Sequence, residues 1–289
     1  MSEYRADGWA IAELPAKEVV AEPATTMFLC MTAHDRRSAA GSDGDSAQNP
    51  SQAWQELAAD YEQARAREDS LDRLVEWPAE RDILGDVTGR SILDLGCGNG
   101  GKLAELVRDG AVASAGVDIG GNFITSPPTG VELVRGDLSN PDSLPELSGR
   151  TFDRILFLQS FGYAKDPVHT LRAARAMLNQ DGFILLTRTQ PIRYALERTE
   201  QNGTTLGEEY FSKANYTYRT GWNEHIALTK RTYTMSDLLN VFSTAGLWIE
   251  TAIEPQLTEE AARRYPHKKA WMNKYLGILI FKLRPLASH

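Results

Sequence analysis

The run Ile92-Leu93-Asp94-Leu95-Gly96-Cys97-Gly98-Asn99-Gly100-Gly101 constrains this chain more than any other segment. Its apolar start reads as a short strand, and Lys102–Arg108 reads as a helix that Gly110 stops, so the glycines stand at a strand-to-helix turn. Gly96, Gly98 and Gly101 fit G-x-G-x-x-G. Missing side chains let a ligand approach the backbone there, and the amides of the helix N-terminus favour anionic groups. The pattern also arises for packing alone. Its weight rises because Asp118 closes the next predicted strand about 20 residues on, where an acid can accept both ribose hydroxyls.

The remaining periodicity suits such a turn. Short apolar strands at Ser91–Leu95, Ala113–Asp118, Val131–Arg135, Phe152–Leu158 and Phe183–Thr187 alternate with helical stretches, among them Pro167–Leu178. This alternation predicts an α/β chain with a doubly wound, mainly parallel sheet covered on both faces. Two more strands, Leu247–Ile253 and Leu276–Leu283, follow, with helices at Met235–Ala245 and Glu259–Tyr265. Ahead of the sheet, Trp54, Leu57, Ala58 and Tyr61 recur at helical spacing behind Ser51 as N-cap. A second amphipathic stretch from Leu71 is expected to end at Pro78 and resume toward Gly85.

Residues 1–50 differ in character. The small, polar Ala39–Ser46 and then Pro50 mark an extension or linker, read as a mobile tail or as a segment that docks on a neighbouring subunit. The globular domain is expected over 51–289, and residues 191–233 interrupt its rhythm. They are polar but carry Tyr194, Tyr210, Phe211, Tyr216, Tyr218, Trp222 and Tyr233, which suits an aromatic lid over the carboxyl ends of the strands.

Charge and composition exclude several classes. Acidic residues number 39 against 31 basic ones, a formal charge of −8, which disfavours capture of nucleic acid by the whole surface. The 2 cysteines, Cys30 and Cys97, are too few for a disulfide framework or a zinc cluster, so no metal is expected. The apolar run Met27–Met31 falls far short of the ~20 residues that cross a bilayer. The expectation is a cytoplasmic protein with neither nucleic acid nor membrane as partner, and a homo-oligomer could form through the N-terminal segment or the lid.

Three ligands compete for the turn. Gly96, Gly101 and Lys102 match a phosphate loop, but Leu103 stands where Ser or Thr must hold magnesium. A dinucleotide such as NAD would set its pyrophosphate near Asp94, whose carboxylate repels it. S-adenosylmethionine carries an ammonium and a sulfonium, so the same acid attracts it.

The run resembles motif I of the class I S-adenosylmethionine-dependent methyltransferases, in their small-molecule, natural-product branch, with a likeness from about Trp54 to Arg284. The resemblance implies a seven-stranded sheet with an antiparallel last strand and S-adenosylmethionine as cofactor. It implies that Asp94, Gly96 and Gly98 hold the methionyl part, Asp118 the ribose, and Ile119 the adenine face. Gly136-Asp137-Leu138 resembles the segment whose acid reads the adenine amino group. Gln159 and Ser160 would line the cofactor near the methyl group, and Tyr61 resembles a helix tyrosine that closes over the methionine.

Many relatives carry a His-Tyr pair before Asp-Pro; here Phe161-Gly162-Tyr163 precedes Asp166-Pro167, so Gly162 stands in place of the usual base. Tyr163 and the lid residue His225 are then the catalytic candidates. Tyr194, Tyr210, Tyr216 and Trp222 are the candidate contacts for an aromatic or prenylated small-molecule acceptor, methylated on nitrogen, oxygen or carbon. The competing readings are an NAD(P)-dependent oxidoreductase and a non-catalytic cofactor-binding subunit of the same fold.

Overall fold

The glycine turn sits at the carboxyl edge of a seven-stranded sheet. In this computed structural model residues 50–123, 126–221 and 223–286 are described. They belong to one compact unit that spans Ala40–His289. The extension expected over 1–50 lies, apart from Pro50, outside the described residues, and so does Trp222.

Strands β1 (Ser91–Leu95), β2 (Val112–Asp118), β3 (Val131–Arg135), β4 (Phe152–Leu158) and β5 (Leu178–Thr189) run parallel. A separate hairpin, β6 (Tyr216–Thr220) and β7 (Asn223–Lys230), precedes β8 (Leu247–Ile253) and β9 (Ile278–Pro285). The sheet order is β3-β2-β1-β4-β5-β9-β8, with β9 antiparallel to both neighbours. This is the doubly wound arrangement, with its order reversing at β1.

Helices α1 (Pro50–Ala66), α2 (Trp77–Leu84), α3 (Gly101–Arg108), α4 (Pro167–Ala176), α5 (Pro191–Asn202), α6 (Leu206–Ser212), α7 (Met235–Thr244), α8 (Glu259–Arg264) and α9 (Pro266–Tyr275) complete the chain. Alternation along the strands splits the core in two. Leu93, Leu95, Ile155, Phe157, Ile184 and Leu186 face Leu171, Leu238 and Phe242 of α4 and α7. Ile92, Leu156, Phe183 and Leu185 face Leu84, Leu103 and Leu106 of α2 and α3. Each such burial contributes roughly 1.5–3 kcal/mol. The same alternation turns Asp94 toward the α2/α3 layer. Local chemistry explains the helix starts: the Asp166 side chain accepts from His169 N at 3.0 Å ahead of Pro167, and Thr234 with Asp237 forms a capping box.

Several boundaries differ from expectation. The helix before the sheet does not end at Pro78: a π-turn over Asp72–Glu76 leads straight into α2, which puts Pro78 in a first turn where its missing N–H costs nothing. Helix α1 begins at Pro50, and the Ser51 hydroxyl donates to Ile119 O at 3.1 Å. Strand β5 starts at Leu178, so the preceding helix is shorter than predicted. Helix α9 was not anticipated, because Pro266 falls at its first turn and its apolar pattern is weak. The last strand starts at Ile278, since Leu276 and Gly277 take left-handed turns at φ 64° and 69°. Among the described residues no helix is long and apolar enough to cross a membrane.

Candidate functional site

The turn after β1 folds tightly because Gly96 N and Cys97 N both donate to Val117 O, at 2.7 and 3.1 Å. Gly96 sits at φ +95°, and a Cβ there would meet Ser160 Cβ at 2.3 Å, so only glycine fits. Ser160 is locked in turn, its hydroxyl donating to Leu95 O at 2.5 Å. At the end of β2, Asp118 accepts from Gly98 N at 2.9 Å and Gly120 N at 2.8 Å. Burial raises its pKa while those amides oppose the rise. Asp118 therefore ties the turn together and keeps lone pairs to accept further hydroxyls.

Asp94 is only 2% exposed, and its Oδ1 has no hydrogen-bond partner. Burial pushes its pKa up to about 7, against the pull of Lys102. Its surroundings are acidic. Asp72, Glu76 and Glu80 recur at i, i+4, i+8 beside α3, and Lys102 Nζ pairs with Asp72 at 2.8 Å and with Glu80 at 2.9 Å. Glu76 is left with the Gln159 amide, which donates at 3.3 Å, and burial pushes its pKa to about 7 as well, helped by Asp72 and Glu80. Gln159 itself adopts φ 61°, a strained conformation at the end of β4 that holds its amide against Glu76.

From α1, Tyr61, Glu62 and Arg65 approach the same turn. The Arg65 guanidinium lies 5.4 Å from the Tyr61 ring centroid and reaches Asp72 at 3.3 Å and Glu62 at 3.5 Å. A cleft of about 420 Å³, lined by Gln55, Glu56, Ala58, Ala59, Glu62, Asn99, Asn122, Phe123 and Ser126, opens beside Gly98. That volume lies within the range of small-molecule sites, roughly 300–1,000 Å³.

Beyond β4 and β5 the character reverses. Residues 191–233 form α5, α6 and the β6–β7 hairpin, whose inner face carries Tyr216, Tyr218, Ile226, Leu228 and Lys230. Ile226 and Leu228 pack on Ala53 and Leu57 of α1. The Tyr163 ring meets Trp54 edge-on at 5.8 Å, and Lys230 Nζ lies 5.4 Å from the Tyr163 centroid and 5.6 Å from that of Tyr218. Burial drives the Tyr163 phenol well above its ordinary pKa, and its hydroxyl has no partner of good geometry. At the end of β5, Arg188 stacks 4.4 Å from the Tyr233 centroid. Tyr194, 4.8 Å from Tyr216, acts on both Arg188 and Lys230.

The structure thus gathers Tyr61, Asp94, Gly96, Gly98, Asp118, Gln159 and Ser160 around one turn. Ile119 follows β2 directly, Gly136 N donates to Asp118 O at 2.9 Å, and Leu138 lies 3.6 Å from the Gly96 Cβ position. Asp137 is half-buried, bonded to Ser139 N at 2.9 Å and paired with Lys165 at 2.8 Å, which holds its carboxyl below the usual range despite burial. Tyr163, Tyr194 and Tyr216 share the aromatic end.

Two candidates are placed elsewhere. His225 is exposed on the outer face of β7, because strand alternation turns it away from Ile226 and Leu228. The Tyr210 hydroxyl accepts from Met235 N at 2.6 Å and fastens α6 to α7, leaving Phe211 71% exposed beside it. Glu76, Lys230 and Arg188 were not anticipated. The acid ladder of residues 72, 76 and 80 was the one sequence signal for Glu76. Gly162 proves informative: a Cβ there would touch the Lys230 stem at 3.6–3.7 Å, so Lys230 lies against this position.

A family model described as a methyltransferase domain matches residues 58–251. An uncharacterized protein of Haemophilus influenzae is 25% identical over 216 residues, covering 69% of this chain and 84% of that protein. The tRNA U34 carboxymethyltransferase of Aeromonas hydrophila is 28% identical over 123 residues, 38% of this chain and 36% of that enzyme. The crystal structure of an S-adenosylmethionine-dependent methyltransferase from Mesorhizobium loti superimposes with a TM-score of 0.58 at 24% identity, covering 72% of this chain and 97% of that one.

Proposed function

The chain belongs to the methyltransferase-domain family, and from that premise we propose that it transfers a methyl group from S-adenosylmethionine to a small aromatic or prenylated acceptor held against the ring-lined hairpin. One observation carries this reading: the buried Asp94 carboxyl, unpaired on Oδ1, at a turn where a pyrophosphate would be repelled and a cationic ligand attracted. Glu76 adds a second acid of the same kind. The residues present therefore fit the cofactor. Asp94 and Glu76 would hold its ammonium end, Asp118 its ribose, and the α3 N-terminus its carboxylate. When bound, the cofactor supplies a methyl carbon already activated by its sulfonium.

What the chain adds is position. Tyr61 and Trp54 close over the turn, and Tyr163 bounds the far side at ring-contact distance from Trp54. Alignment of this kind supplies roughly 7–11 kcal/mol in favourable cases. A phenol driven well above its ordinary pKa is a poor base at neutral pH, so Tyr163 donates a hydrogen bond and does not abstract a proton. The outward His225 takes no part. An acceptor with a lone pair free at neutral pH, such as an amine or an ionised oxygen, needs no base. The formal charge of −8 argues against transfer RNA as acceptor.

Calorimetric titration with S-adenosylhomocysteine tests the reading: micromolar binding is expected, with NADH giving no heat. NADH binding that survives Asp94→Ala would favour the oxidoreductase instead. Cofactor binding with no acceptor found in host extracts would favour the non-catalytic subunit.

A further inference from the structure

We propose that the acceptor is an anion, gripped by Arg188 and Lys230 through a carboxylate-type pair of oxygens among Tyr163, Tyr194 and Tyr233. This deepens the methyltransferase reading and rests on it.

Arg188 is a buried cation with no carboxylate partner among the described residues. Arg188 is 4% exposed, its Nη1 has no hydrogen-bond partner, and its Nε makes only a 3.4 Å contact with Thr189 O. Burying a charge without a counter-ion is costly, and folds retain such groups rarely. This chain satisfies its buried arginines where they serve structure. Arg198, 7% exposed and ten residues on, donates to Glu209 Oε2 at 2.8 Å, Ala214 O at 2.8 Å and Glu209 O at 2.5 Å. No described carboxylate does the same for Arg188.

Position and neighbours then indicate what is missing. Arg188 lies at the carboxyl end of β5, the edge where open α/β sheets bind ligands. Lys230 projects from the hairpin, and the groups that act on its ammonium are the phenols of Tyr218, Tyr194 and Tyr61, with no carboxylate among them. The Tyr233 hydroxyl lies against Arg188 and the Tyr163 hydroxyl against Tyr218, and neither makes a hydrogen bond of good geometry. A guanidinium with a free Nη1 and an ammonium, both set among ring faces, match a planar oxyanion, which a guanidinium fork grips through two parallel bonds. Carboxylates and phosphate monoesters share that oxygen pair.

The test uses full-length protein saturated with S-adenosylhomocysteine and titrated with benzoate, phenyl phosphate and the neutral isostere benzamide. Benzoate should bind at least about 10-fold more tightly than benzamide. Arg188→Gln and Lys230→Met should each weaken benzoate by about 10-fold or more while leaving S-adenosylhomocysteine affinity unchanged. Phenyl phosphate binding above benzoate would support the site and assign it to phosphate esters. Equal binding of benzamide, no binding of either anion, or unaltered benzoate affinity in both variants would overturn the proposal. Folding supplies a second readout: Arg188→Met should raise the Tm of the ligand-free protein by ~2–4 °C, because an unpaired charge is removed. A fall in Tm would make the guanidinium structural and refute the assignment. Failure to bind S-adenosylhomocysteine, with benzoate still recognised through Arg188, would sink the enzyme class and leave the anion site standing.

Discussion

At the mouth of β1 the buried charge with an unpaired oxygen is an acid, Asp94, beside Glu76, which is held by the Gln159 amide; at the end of β5 the charge with an unpaired nitrogen is a base, Arg188, and Lys230 lies over the Tyr163 ring. By contrast, Lys102 is paired with Asp72 and Glu80, and Arg198 with Glu209. The contrast teaches that the residual charge at each end records the sign of what belongs there. A positive ligand completes the acidic end and a negative one the basic end, and until then both ends lower the stability of the free protein.

The largest expected effect breaks the acidic side alone. Asp94→Asn should weaken S-adenosylhomocysteine about 100-fold by calorimetry and leave benzoate binding intact. Because Asp94 and Glu76 both titrate at about 7, cofactor affinity should climb from pH 6 to pH 8 as they lose protons and then level off; a flat profile would detach them from the ligand. Stability runs the other way. A carboxyl whose folded pKa is raised stabilises below its unfolded value, near 3.8, and that contribution is lost as pH rises through about 7. Ligand-free Asp94→Asn should therefore match the parent near pH 4 and exceed it above pH 7, with about 4 kcal/mol as a ceiling, in urea titrations.

A smaller effect sharpens the comparison. Asp118→Ala removes the acceptor of two turn amides along with the ribose contact, and should cost about 10-fold in S-adenosylhomocysteine affinity. Unchanged affinity would restrict Asp118 to tying the turn. Tyr163→Phe belongs to the basic side and should raise acceptor KM by a few-fold without touching cofactor affinity, since its ring lies under Lys230. Smallest of all, His225→Ala should leave kcat unchanged. A large fall would place the hairpin's outer face in the chemistry.

The acidic end was legible in the chain because it is local. Asp94, the glycines and Asp118 fall within one strand–turn–helix–strand stretch, where periodicity and glycine spacing speak directly. Much of the basic end was not. Arg188 lies at the end of β5 and Lys230 closes β7, and neither shares a motif with Tyr163, so only tertiary packing reveals that both act with Tyr194. The π-turn hid Glu76 for a related reason: its phase depends on one extra residue that a regular helical period does not register. His225 and Tyr210 show the opposite failure. Ring or imidazole chemistry in a polar segment suggested a site, but strand alternation and a backbone bond decided otherwise.

Helix α1 and the hairpin are bonded to one another as well as to the turn beneath them. Asn223 Nδ2 donates to Asp60 Oδ2 at 2.7 Å, Ile226 and Leu228 pack on Leu57, and Asn122 reaches Gln55 O at 2.9 Å. These contacts join helix α1 and the hairpin into one cover over the turn. Asn223→Ala, which removes the bond to Asp60, is expected to speed dissociation of S-adenosylhomocysteine in stopped-flow measurements.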